Sequence, residues 1–151
     1  METNYKKVKD SLLSFGNNHS ACQHEYKRLY AAESVEAVMA VVKDNFSWCC
    51  QFADFADVLL AYRDQFAEHK IWINTSVEIK EGVGYLLTTE GEFNAESRGT
   101  STINAESRET STMIILTSAI ECQVNDKSIA RYIQDNRVVF ADDSIKFEKQ
   151  E

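Results

Sequence analysis

Asn94-Ala95-Glu96-Ser97-Arg98-Gly99-Thr100-Ser101-Thr102-Ile103 runs directly into Asn104-Ala105-Glu106-Ser107-Arg108-Glu109-Thr110-Ser111-Thr112-Met113. Eight of the ten positions are identical. Self-similarity at a fixed period marks a stacked repeat architecture. The repeat sits inside a longer tract in which apolar residues come two apart, the period of a strand. The pairs are Ile71 and Ile73, Val77 and Ile79, Tyr85 and Leu87, Phe93 and Ala95, Ile103 and Ala105, Met113 and Ile115, Ile120 and Cys122, Val138 and Phe140, and Ile145 and Phe147. Polar runs such as Ser97 to Thr100 and Asn125 to Lys127 separate them.

Short strands, small interior residues and polar corners predict a parallel β-solenoid. The competing reading is an antiparallel meander. It wants Asn-Gly or Asp-Gly hairpin turns, and none of the five glycines makes one. Ile129 and Arg131 break the pattern. A bulge, or a one-residue shift that turns Ala130 and Tyr132 inward, resolves that stretch. Thr100 with Thr110 and Thr102 with Thr112 then form rows of two, too short for an ice-binding face.

Upstream of Ile71 the period is helical. Val8, Leu12 and Phe15 mark a first helix over residues 5–15, with Gly16 as its C-cap. Ser20 offers an N-cap for a second helix over residues 21–32, in which Cys22, Tyr26, Leu29 and Tyr30 share a face. Ser34 caps a third, ending near Asn45. A fourth spans residues 46–70 through Trp48, Phe52, Phe55, Leu59, Tyr62 and Phe66. The predicted fold is α+β: a helical module, residues 1–70, capping a short right-handed parallel β-solenoid, residues 71–151, with a charged tail from Phe147.

The 151 residues and 17.2 kDa suit one domain with an appended module. Proline is absent and no apolar run is long enough for a membrane span. The N-terminus leads into no signal-like apolar core. With four cysteines and no secretory signal, the thiols read as reduced, mostly buried and cytoplasmic.

The net charge is −8, and residues 81–151 carry 13 acidic against 7 basic side chains. Such a balance argues against direct nucleic-acid binding and for a basic protein partner. Glu96, Glu106, Glu109, Asp126, Asp135, Asp142 and Asp143 are the predicted contacts, with Trp72 as an exposed apolar anchor.

No catalytic, metal or cofactor signature emerges. Gly82-Val83-Gly84 lacks the remainder of a phosphate loop, and no Gly-x-Ser-x-Gly elbow occurs. His19, Cys22 and His24 lie within six residues, with Cys49 or Cys50 as further thiols, but without zinc-ligand spacing. They define a third reading, a metal or cysteine-dependent protein. The second is an assembly module that forms homo-oligomers through the solenoid edge or the helical face.

Phe15-Gly16-Asn17-Asn18-His19-Ser20-Ala21-Cys22-Gln23-His24-Glu25-Tyr26, with Ser34-Val35-Glu36-Ala37-Val38 and Asn45-Phe46-Ser47-Trp48-Cys49, resembles a helical module of small bacteriophage and gut-bacterial mobile-element proteins. Those share an Ala-Cys-x3-Tyr run and a Trp-containing segment, and some continue into short solenoid repeats. The likeness covers residues 12–66 and departs at Cys49-Cys50, so no functional residue is carried over. It implies a mobile-element origin. By analogy of class, small acidic phage proteins without catalytic motifs include inhibitors of host defence such as anti-CRISPR proteins. The leading expectation is therefore a non-enzymatic acidic inhibitor of a host nuclease.

Overall fold

The computed structural model describes residues 2–117 and 120–140. Its chain divides into two units, Met1–Ile71 and Trp72–Glu151.

The first unit holds six helices: α1 (Glu2–Asn18), α2 (Gln23–Ala31), α3 (Val35–Asp44), α4 (Phe46–Cys50), α5 (Ala53–Ala61) and α6 (Arg63–Ala67). Val8, Leu12 and Phe15 form the buried stripe of α1, which packs against α2, α3 and α5. Lys9 Nζ and Tyr5 Oη both donate to the carbonyl of Ala32, at 2.7 and 3.2 Å. These bonds satisfy an orphan carbonyl at the end of α2. Ser34 caps α3 as predicted, its Oγ accepting from the Ala37 amide at 3.1 Å.

Three local expectations are corrected. Gly16 is not a C-cap: α1 runs on to Asn18, and the left-handed residue after it is Ser20, with φ 55°. A Cβ on Gly16 would make ordinary contacts with Ala21 and Tyr26, each at 3.4 Å. Ser20 is not the N-cap of α2; Cys22 holds that position without a side-chain cap bond. The single helix expected over residues 46–70 is three, broken at Phe52 (φ −114°, ψ 131°) and Tyr62 (φ −125°, ψ 41°). The first break brings the Phe52 ring onto His19, Trp48 and Phe15, at centroid distances of 4.0, 5.1 and 5.9 Å. At the second, the Tyr62 hydroxyl meets Ser11 Oγ at 3.2 Å. Aromatic packing outweighs local helix propensity at both sites.

The second unit is a parallel β-solenoid of about three turns, as the repeat predicts. Its strands are β1 (Ile71–Ile73), β2 (Val77–Ile79), β3 (Val83–Thr88), β4 (Glu92–Ser97), β5 (Thr102–Ser107), β6 (Thr112–Ile115), β7 (Glu121–Val124), β8 (Ile129–Tyr132) and β9 (Arg137–Phe140). Odd strands stack as one sheet, β1-β3-β5-β7, and even strands as the other, β2-β4-β6-β8, with β9 added antiparallel to β8. Register partners are 18, 19, 20, 17 and 17 residues apart for β2–β4, β3–β5, β4–β6, β5–β7 and β6–β8.

The ten-residue repeat is therefore half a coil. Ala95 stacks between Val77 and Ile115 in one sheet, whereas its counterpart Ala105 stacks between Leu86 and Cys122 in the other. For the same reason Thr102 and Thr112 lie in opposite sheets, so that expected row does not exist.

Ile79, Leu86, Ala95, Ile103, Ala105, Met113, Ile115 and Ile120 fill the interior, with Ala130 and Tyr132 turned inward by the shifted register. In β3 the interior pair is not Tyr85 and Leu87 but Gly84 and Leu86, which register with Ile103 and Ala105. In β9 Val139, not Val138 and Phe140, pairs with interior Ala130. The expected Ile145 and Phe147 pair and the tail lie outside the described residues.

Every corner after an odd strand holds a left-handed residue: Asn74, Gly91, Glu109 and Asp126, at φ 49°, 77°, 56° and 58°. Gly82 and Gly99 serve two of the opposite corners. A serine seals each of three corners. Ser101 Oγ lies 3.1 Å from the Ile79 carbonyl, Ser111 Oγ 3.0 Å from that of Thr88, and Ser128 Oγ 2.8 Å from that of Ser107. Each carbonyl belongs to the preceding coil, so these hydroxyls tie rung to rung. Ser111 is fully buried and its Oγ also meets Thr88 Oγ1 and Ser107 Oγ at 3.0 and 3.2 Å. We expect Ser111→Ala to cost about 1–3 kcal/mol, because it strands partners that have no water to turn to. Urea denaturation with unchanged m-value checks this.

Candidate functional site

The five predicted acidic contacts among the described residues do not form one face. Glu96 lies on β4, and Arg98 bridges it at 2.6 Å and Glu78 at 2.9 Å, so one cation is shared by two carboxylates there. Glu106 is only 3% exposed, a correction to its place on an exposed acidic surface. It lies in the outward row of β5 beside Leu87, itself buried, and meets Arg108 Nη2 and Asn125 Nδ2, each at 3.4 Å. Asp135 sits in the β8–β9 hairpin turn and pairs with Arg137 at 3.3 Å. Arg137 in turn covers the Tyr132 ring at 3.8 Å. Asp142 and Asp143 lie outside the described residues.

Trp72 is not an exposed anchor. It is half-buried against the solenoid interior, and a Cβ on Gly84 would come within 2.7 Å of its ring. The tryptophan fills the volume that glycine leaves.

Glu109 and Asp126 remain together. Both are exposed, on successive coils of one corner, and the Glu109 amide donates to Asp126 Oδ2 at 3.0 Å. Sequence reasoning missed two neighbours. Glu90 precedes the left-handed Gly91 at the same corner of the previous coil, and Glu92, which opens β4, registers with Thr112. Both are exposed. Rungs of a sheet are about 4.8 Å apart. The corner thus presents a column of carboxylates on successive rungs, with Lys127 as a cation beside it. The signal was the acidic residue beside or at the left-handed position of each of these corners.

The helical unit does not assemble His19, Cys22 and His24 into a ligand set. His19 Nε2 contacts both carboxylate oxygens of Asp54, at 2.8 and 2.9 Å, and its ring stacks on Phe52. The His24 side chain is 83% exposed. Cys22 is exposed, which corrects its placement in the core, while Cys49 and Cys50 are buried. Among the described residues no group of three or more His, Cys, Asp or Glu is placed to hold a metal ion. Burial pushes the Cys49 thiol up to about 12, so it stays protonated at neutral pH.

A pocket of about 200 Å³ opens in this unit among α1, α2, α3 and α4. Phe15, Tyr26, Leu29, Val42 and Trp48 line it, with the carboxylate of Glu25 and the amide of Asn45 beside them. Glu25 Oε1 accepts from Asn45 Nδ2 at 2.9 Å and from Arg28 Nη1 at 3.0 Å. These bonds, that from Asn45 first, hold the Glu25 carboxyl below the usual carboxylate range. Arg28 also pairs with Asp44 at 2.8 Å, and that bond raises its own pKa.

A short parallel solenoid with an acidic corner, preceded by a six-helix unit with an apolar pocket, is the class these observations define. No protein-family model, curated protein or solved structure matches the chain. Among the described residues no helix is long and apolar enough to cross a membrane.

Proposed function

We propose that the chain is a non-enzymatic binding protein that engages a basic macromolecular partner through its solenoid corner. The observation that carries this reading is the column of exposed carboxylates Glu90, Glu92, Glu109 and Asp126. Rigidly spaced like charges on a backbone lattice favour a partner that brings cations at matching intervals. The phage and mobile-element resemblance narrows the partner class to a nucleic-acid-processing host defence protein, which the acidic corner would inhibit by occupying a basic surface. The test is capture from a nuclease-treated bacterial lysate, washed at low and then high salt. A basic protein held at low salt, released at high salt and lost by the Glu90→Lys/Glu109→Lys double variant is the expected result. Equal capture by that variant overturns the proposal.

A second reading, self-association, has its own support. Ile133 and Val138, 46% and 48% exposed, leave apolar surface at the last rungs of the even sheet. A mass that rises with concentration in analytical ultracentrifugation, and returns to the monomer in Val138→Lys, would favour it.

A further inference from the structure

We propose that the pocket of the helical unit is a binding site for a small aryl-alkyl ammonium ion, its ring among Phe15, Leu29, Val42 and Trp48 and its amine at Glu25. Size sets the first limit. A cavity of about 150 Å³ lined by aliphatic and aromatic side chains holds benzene, whereas drug-sized ligands need about 300–1,000 Å³. At about 200 Å³ this pocket takes one ring with a short chain.

Charge sets the second. Among the described lining residues Glu25 is the charged side chain, and both amide hydrogens of neighbouring Asn45 are spent, one on Glu25 and one on the Val41 carbonyl. Asn45 and Arg28 both bind Glu25 through Oε1, while the exposed His24 ring nitrogen Nε2 lies 3.6 Å from Oε2. That distance exceeds a hydrogen bond. Oε2 is thus an acceptor at the rim of an apolar chamber, on a carboxyl whose bonds keep it ionised. Arg28 does not invert the sign of the site, since Glu25 and Asp44 together outweigh it. A carboxylate beside aromatic side chains suits an ammonium head and repels an anion.

This inference does not rest on the solenoid corner, and loss of partner capture leaves it standing. The test uses the full chain with three probes of similar size: 2-phenylethylamine, 2-phenylethanol and 3-phenylpropionate. Methyl NMR shifts of Leu29 and Val42 report occupancy. Saturable shifts are expected with the amine, which should bind about tenfold more tightly than the alcohol, a difference of about 1.4 kcal/mol. The acid should bind weakest. In Glu25→Gln the amine and the alcohol should fall within about twofold of each other. No saturable shift with any probe overturns the site. Equal affinities in the unaltered chain, or a preference that survives Glu25→Gln, overturns the assignment of the amine to Glu25.

Discussion

Phe55→Ala is expected to lower stability by about 3–5 kcal/mol. Phe55 is fully buried on α5, 5.4 Å from the Phe15 ring and 6.1 Å from that of Phe46. Removing the ring deletes contacts to α1 and α4 at once, and the rigid helices around it close the gap only in part. The same truncation at Phe52 should cost less, because Phe52 is only half-buried and leaves the Phe15–Phe55 contact intact. Denaturant midpoints followed by the helical signal at 222 nm compare the two. Similar losses would mean that Phe55 does not organise this core.

The second large effect lies in the repeat itself. Its two copies differ at Gly99 against Glu109 and at Ile103 against Met113. The first difference falls on the left-handed corner position, φ 60° and 56°. Gly99→Glu makes the copies more alike, yet it should destabilise strongly. A side chain at that φ costs about 1–2 kcal/mol, and its Cβ would lie 2.9 Å from the backbone oxygen of Lys80, which cannot swing aside. Glu109→Gly should act in the opposite sense and gain about 1 kcal/mol, the relieved strain less the chain entropy that glycine adds. Thermal unfolding of the pair should therefore shift in opposite directions. A lower midpoint for Glu109→Gly would show that the glutamate earns its place through contacts beyond the backbone.

The solenoid was legible because strand pairs two apart and polar corners persist through most of residues 71–140, a pattern no helix produces. Which residues face inward was less legible. Gly84 carries no hydropathy, so the apolar neighbours Tyr85 and Leu87 claimed the interior that Gly84 and Leu86 occupy. Glu106 misled in the opposite way: its charge reads as exposed, but it and its register partner Leu87 are both buried at the ends of otherwise exposed or half-buried outward rows. The acidic corner was read in part, through Glu109 and Asp126. Glu90 and Glu92 fall outside the visible repeat, and only the register places Glu92 against Thr112. The helix breaks at Phe52 and Tyr62 carry no glycine or proline, and tertiary contacts to His19 and Ser11 make them.

Because the sequence repeat equals half a coil, this solenoid can lengthen only in even steps. Duplicating one ten-residue unit after Met113 would send each downstream strand to the opposite sheet, so that β7 would follow β6 instead of β5 and Ile120 and Tyr132 would exchange walls. Duplicating two would add a whole rung, keep every downstream residue on its own wall and extend the carboxylate column by one step. Growth of the binding corner and preservation of the core are thus a matter of parity.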